Sequence, residues 1–266
     1  MAADPIKISF CTIGFQKNKW GRDRAIERPL HEILPILAEA GYDGVEIWWP
    51  HLAGLSRDER EQVRELLVAL GLSVAMVSPY FDFTTSQASA QQSMTQALEV
   101  LEEAELLSAR GIRVFTGKTS SQDATDEQWN RCGRALAHLC DHSAATGILW
   151  CLETHSRNLT DSVEGTLRLL QIADRPALKV IFQPSTFKDG HGQALTALAP
   201  HIAHVHATNS RAGKACRLAD GDMDWRQIVQ SLSRAGFRGY ISVEWFGEDP
   251  QVVAREEAAY LRGLLG

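Results

Sequence analysis

The stretch GILWCLETH, residues 147–155, decides how this chain is read. Gly147 closes a run of helical period over 127–146, an apolar run follows at 148–154, and the helical period returns at 162–173. A short apolar run without alternation is the mark of a strand buried on both faces, and such strands belong to parallel sheets with helical crossovers. The same unit recurs in both directions along the chain. Strand-like runs fall at 6–11, 44–49, 73–78, 112–116, 148–154, 179–183, 202–207 and 240–245. Helical stretches fall at 30–40, 58–70, 89–109, 127–146, 162–173, 194–198, 225–235 and 250–265, and all but 194–198 have a clear period. Gly41, Gly71, Gly111, Gly147 and Gly236 each stand between a helix and the next strand, where a left-handed C-terminal cap is wanted. Ser56 with Glu59, and Thr125 with Gln128, have capping-box spacing.

Eight β-α units in 266 residues fit an α/β fold of one (β/α)8 barrel, a single domain over 1–266, better than a doubly wound sheet. No GxGxxG follows the first strand. The long connections at 12–28, 78–88 and 208–224 all follow strands, which in a barrel is the catalytic face.

Composition narrows the function classes. With 44% hydrophobic and 23% charged residues the chain is globular. Lys and Arg number 27 against 33 Asp and Glu, and a formal charge of -6 argues against a protein that tracks phosphate backbones. Five cysteines, Cys11, Cys132, Cys140, Cys151 and Cys216, form no CxxC pair and indicate reduced thiols rather than a disulfide framework or zinc finger. The N-terminus has no leader-like pattern, and no run approaches the ~18 apolar residues of a membrane span. The expected location is cytoplasmic, without membrane or nucleic-acid partners.

Four polar residues occupy strand ends where a barrel interior normally takes aliphatic side chains. Glu153 ends the fifth strand, Gln183 the sixth, His206 lies in the seventh and Glu244 ends the eighth. Each alone would be an ordinary solvated residue. Together, two carboxylates, an imidazole and an amide oxygen on consecutive strands form a mixed N/O set that suits one divalent ion, Mn, Mg, Co or Zn.

The chain carries GYDGVEI at 41–47, LETH at 152–155 with LTD at 159–161, HVH at 204–206, DGDMDW at 220–225 and GYISVE at 239–244. In the order and spacing of these motifs it resembles the xylose isomerase-like barrel superfamily of sugar isomerases and epimerases, which includes ketose 3-epimerases and hydroxypyruvate isomerases. The resemblance covers nearly the whole chain. It implies metal ligands at Glu153, the sixth-strand position, His206 and Glu244, with Glu153 and Glu244 also acting as acid and base on opposite faces of a substrate. The sixth strand departs from the pattern, with Gln183 and Thr186 where the family has Asp, often followed three residues on by His or Asn. With a divalent ion the usual three carboxylates leave one net negative charge; this set leaves none, so the ion is held less tightly and is a stronger Lewis acid.

Other residues near this face carry less. His155 shares a strand face with Glu153 and is a candidate for a substrate hydroxyl. Glu46, which alternates with Val45 and Ile47, points into the barrel and is placed to contact a ligand or an arginine. His204 reads as a supporting histidine. Arg211 and Lys214, after the seventh strand, and Lys118, after the fourth, are placed to meet substrate; Arg211 is the one assigned to it. Phe15, Trp20, Trp48, Trp49, Tyr80, Phe81, Trp245 and Phe246 offer apolar walls for a sugar ring or for plugging the barrel top.

The expected activity is a metal-dependent isomerase or epimerase of a sugar, keto-sugar or related polyhydroxy carbonyl compound, through an enediolate. The alternatives are a metal-dependent lyase or dehydratase acting on a keto-cyclitol, dehydroshikimate-like or keto-glycoside substrate, and a non-catalytic sugar-binding barrel in which Gln183 records a lost metal. The expected partner is a small sugar or polyol, and a homo-oligomer is left open. A three-zinc endonuclease of the superfamily needs more His, Asp and Glu ligands than this chain places.

Overall fold

The computed structural model describes residues 5–17 and 26–266; Trp20 lies outside the described residues. The strands are β1 (Lys7–Cys11), β2 (Gly44–Trp48), β3 (Ser73–Ser78), β4 (Gly111–Val114), β5 (Leu149–Glu153), β6 (Leu178–Phe182), β7 (Ile202–Ala207), β8 (Ser210–Arg211), β9 (Lys214–Ala215) and β10 (Tyr240–Val243). Eight of them close a parallel barrel in the order β1-β10-β7-β6-β5-β4-β3-β2, and β8 and β9 form a small antiparallel hairpin. The helices are α1 (Leu30–Glu39), α2 (Pro50–Ala53), α3 (Arg57–Leu70), α4 (Gln87–Leu106), α5 (Asp126–His142), α6 (Val163–Ala173), α7 (His191–Leu198), α8 (Trp225–Arg234) and α9 (Pro250–Leu265). This is the expected (β/α)8 barrel. No helix among the described residues is long and apolar enough to cross a membrane.

Backbone packing divides the chain into two compact units, Met1–Met76 with Val205–Gly266, and Val77–His204. In the first, β1 pairs with both neighbours, setting Ser9 opposite Ser242 on β10 and Cys11 opposite Glu46 on β2. Gly44 has to be glycine, because a Cβ there would lie 2.6 Å from the Ser73 carbonyl oxygen and 2.9 Å from the Tyr240 ring. The amphipathic helix α8 buries Trp225, Ile228, Val229 and Leu232, a one-sided stripe at helical spacing. On α9 the buried stripe is Val253, Ala254, Glu257, Ala258 and Leu261, with a carboxylate among the aliphatics.

In the second unit β4, β5 and β6 pair in register, with Arg113 opposite Cys151 and Glu153 opposite Ile181. The capping boxes expected at Ser56, in the first unit, and at Thr125, in the second, are formed. A third, Ser86 with Ser89, starts α4 and uses a serine where the usual pattern has Glu or Gln.

Two expectations need correction. Gly41, Gly71, Gly147 and Gly236 adopt the left-handed conformation, but Gly111 is the first residue of β4, and Ser108 makes the left-handed turn after α4 instead (φ 50°). The weak helical stretch at 194–198 is the end of a helix that starts at His191, after a short 3₁₀ segment, Pro184–Gly190.

Candidate metal centre and active site

Within the second unit, Glu153 is the last residue of β5 and is held from three sides. Its side chain is buried, with Oε2 3.3 Å from Arg113 Nη1. Its carbonyl oxygen accepts the Thr160 hydroxyl at 2.5 Å. The next residue, Thr154, accepts the Gln183 backbone N–H at 2.8 Å, and Thr186 donates to the Thr154 carbonyl at 2.8 Å. Gln183, just past β6, is therefore fixed to the end of β5 by its main chain, and its side chain is half-buried.

Arg113 was not singled out by the sequence reading. It sits in β4 with 2% of its surface exposed and donates through Nη2 to the Ser78 and Pro79 carbonyls at 3.4 and 3.1 Å. Its guanidinium lies 4.6 Å from the Tyr80 ring centroid and 4.7 Å from that of Phe115, and the two rings are stacked at 11°. A planar cation suits this position because its faces meet aromatic rings while its edge meets oxygens. The available signal was a lone arginine in an otherwise apolar strand, a costly placement without a partner. His155, one residue beyond Thr154, donates from Nδ1 to the Ser156 carbonyl at 2.7 Å and packs edge-on against Phe115 at 5.0 Å.

In the first unit, His206 on β7 is fully buried. Its Nε2 lies 3.1 and 3.2 Å from the two carboxylate oxygens of Glu46, itself fully buried on β2. Its Nδ1 lies 3.8 Å from Glu244 Oε2. Glu244 follows β10 directly, and its backbone N–H donates to the Ala207 carbonyl at 3.0 Å. His204, two residues before His206 and the last residue of the second unit, is buried as well, and Glu46, His204 and His206 are side chains that could hold a metal ion. Carboxylates and imidazoles brought together away from water are a donor set that fits a divalent cation.

The sequence-predicted residues thus form two local groups, Glu153 with Gln183, and Glu46 with His206 and Glu244. Arg211 stands exposed on the β8–β9 hairpin beside Lys214, and Lys118 is also exposed. The aromatic residues divide: Trp48, Phe15, Phe81 and Trp49 are buried, whereas Phe246 is 38% exposed. Trp48 packs edge-on against His51, a buried histidine that the sequence reading passed over.

Residues 34–264 match the family of xylose isomerase-like TIM barrels, and the chain belongs to that family. The 3-dehydroshikimate dehydratase of Bacillus anthracis is 25% identical over 96% of this chain and 96% of its own. The fructoselysine 3-epimerase of Escherichia coli O157:H7 is 21% identical over 88% of this chain and 95% of its own. The crystal structure of the probable 3-DHS dehydratase AsbF from Bacillus anthracis, involved in petrobactin synthesis, superposes with a TM-score of 0.82 at 23% identity, covering 97% of this chain and 99% of that one. The sequence relatives are enzymes, a dehydratase and an epimerase.

Proposed function

We propose that this protein is a metal-dependent enzyme that removes the proton next to the carbonyl of a small polyhydroxy compound and returns it to give an epimer or isomer. The observation that carries this reading is a pair of buried carboxylates at the carboxyl ends of barrel strands, Glu153 fixed by Arg113 and Glu244 beside His206. The sheet order supports their acting together, because β10, β7, β6 and β5 are consecutive. In this reading Glu153, Gln183, His206 and Glu244 supply the ligands of one ion, Mn, Mg, Co or Zn. When bound, such an ion polarises a carbonyl and the adjacent hydroxyl and stabilises the enediolate.

Glu153 and Glu244 are the proton carriers, one for each face of the substrate. Arg113 keeps the Glu153 carboxylate in one position, and His155 and Arg211 contact substrate oxygens. Residues 1–266 act as one barrel domain, and the free cysteines, four of them buried, suit a cytoplasmic location.

A second reading is favoured by a relative whose match covers 96% of each chain, a dehydratase. There the same proton is removed but a β-hydroxyl leaves as water. Metal-loaded protein incubated in D2O with keto-sugars, keto-cyclitols and 3-dehydroshikimate separates the two. Deuterium next to the carbonyl, with otherwise unchanged mass, is the expected result; loss of water transfers the assignment to elimination. No exchange from any of these substrate classes overturns both.

A further inference from the structure

The carboxylates of Glu46 and Glu244 meet the imidazole of His206 differently. Glu46 sets both oxygens at hydrogen-bond distance from Nε2, at 3.1 and 3.2 Å. Glu244 Oε2 stands 3.8 Å from Nδ1, beyond hydrogen-bond reach. With Glu46 ionised, a lone pair on Nε2 would face two oxygens that can only accept, so that nitrogen carries the proton. In the neutral ring, Nδ1 then presents its lone pair on the Glu244 side. Two donors that each bind one ion at ~2.1 Å lie roughly 3.0–3.4 Å apart, so the Nδ1 to Oε2 gap needs only a small inward adjustment to hold a cation.

We propose that Glu46 is a positioning residue: its buried carboxylate holds His206 in the Nε2–H form and turns Nδ1 toward Glu244, so that the metal is taken on the Glu244 side and Glu46 stays off the ion. The inference rests on the metal-dependent reading above and replaces the substrate contact expected for Glu46. It also separates two groupings of the same atoms. If Glu46, His204 and His206 held the ion together, Glu46 would have to exchange its contact with Nε2 for the metal. An Nδ1–H would then face Glu244 from 3.8 Å, too far to donate well. The register brings both carboxylates to this imidazole: Glu46 on β2 is paired with Cys11 of β1, and Glu244 follows Val243, the partner of Phe10, on the other side of β1.

Two measurements test it. In metal-free protein carrying ¹⁵N-labelled histidine, the His206 ring signals should show Nε2 protonated in the wild type and in Glu46→Gln, whose amide oxygen still accepts, with the preference lost in Glu46→Ala. In crystals loaded with Mn²⁺, the anomalous peak should lie within bonding distance of His206 Nδ1 and a Glu244 oxygen and clear of Glu46. Glu46→Ala should weaken Mn²⁺ affinity by ~10- to 100-fold, the usual effect of removing a group that orients a ligand, and Glu46→Gln by less. An unprotonated Nε2 in the wild type, or a Mn²⁺ bonded to Glu46, overturns the role given to Glu46 while leaving the metal-dependent function standing. A wild-type protein that binds no divalent ion yet keeps Nε2 protonated overturns the function and the ion's place, and leaves standing the hold of Glu46 on His206.

Discussion

Arg113 shows how much one buried charge decides. Its guanidinium balances Glu153 in a region where neither side chain reaches water, with side-chain exposures of 3% and 2%. Replacing it by methionine takes this cation away from the buried Glu153 carboxylate, and loss of one partner of such a pair costs about 3–5 kcal/mol. Urea unfolding of Arg113→Met should show a loss of that order; Arg113→Lys should lose less, because the charge remains though the stacked fork does not. A change within ~0.5 kcal/mol for Arg113→Met would mean that other groups balance Glu153. His51 presents the reverse case. It sits between Thr12 Oγ1, 2.8 Å from Nδ1, and Gln16 Nε2, 2.7 Å from its own Nε2, and burial pushes its pKa down to about 3 from 6.5. The unfolded chain therefore binds the extra proton first as pH falls. The contribution of the neutral ring is complete above 6.5 and is lost between 6.5 and about 3, at up to ~1.4 kcal/mol per pH unit. His51→Gln should flatten that part of the stability curve, as read by thermal melts at pH 4 and 7; an unchanged slope would locate the acid sensitivity elsewhere.

At the scale of the element, α9 carries a comparable test. Glu257 lies in its apolar stripe, accepts the Leu218 backbone N–H at 2.8 Å, and is pushed up to about 7 by burial. Its folded pKa lies above the unfolded value, so its protonated form contributes stability that is complete below about 4.5 and lost as pH rises through 7. Glu257→Gln keeps the acceptor and removes the charge, and should melt higher than the wild type at pH 8 but not at pH 4.5. A lower melting temperature at pH 8 would show that the carboxylate is favoured there. The cap of α3 is simpler. Ser56→Ala removes one arm of a formed capping box and should cost about 1 kcal/mol in chemical unfolding; no measurable loss would mean that Glu59 alone closes the helix end.

At the scale of the whole molecule, the proposed activity depends on two glutamates from separate units. Glu153→Gln and Glu244→Gln should each reduce turnover by ~10²- to 10⁴-fold or more with metal still bound. For a given substrate, one variant should still exchange deuterium into it without forming product, and the other should be silent. Turnover close to normal in either metal-loaded variant would reduce that carboxylate to a ligand. Gln183→Asp should tighten divalent-ion binding by adding a charge to the ligand set, as read by calorimetry. An unchanged affinity would take Gln183 out of that set.

The sequence by itself determined the barrel. Each strand must bury both faces and each helix one, so the alternation of apolar runs with helical stripes is written locally, residue by residue, and strands such as β3 and β7 were legible to the residue. Boundaries failed where local chemistry was ambiguous: Gly111 reads as a cap until pairing draws it into β4 opposite Leu149. Glu153, His206, Glu244 and Glu46 were visible as polar residues in apolar strands. Their partners were not. Glu46 and His206 are 160 residues apart, and Arg113 and Glu153 are 40 apart. Only closure of the sheet and the register of its strands decide which charge meets which oxygen. The reason is energetic: a strand pattern says that a polar group will be buried, but the cost of burying it is met by whichever complementary group the tertiary fold brings within hydrogen-bond reach.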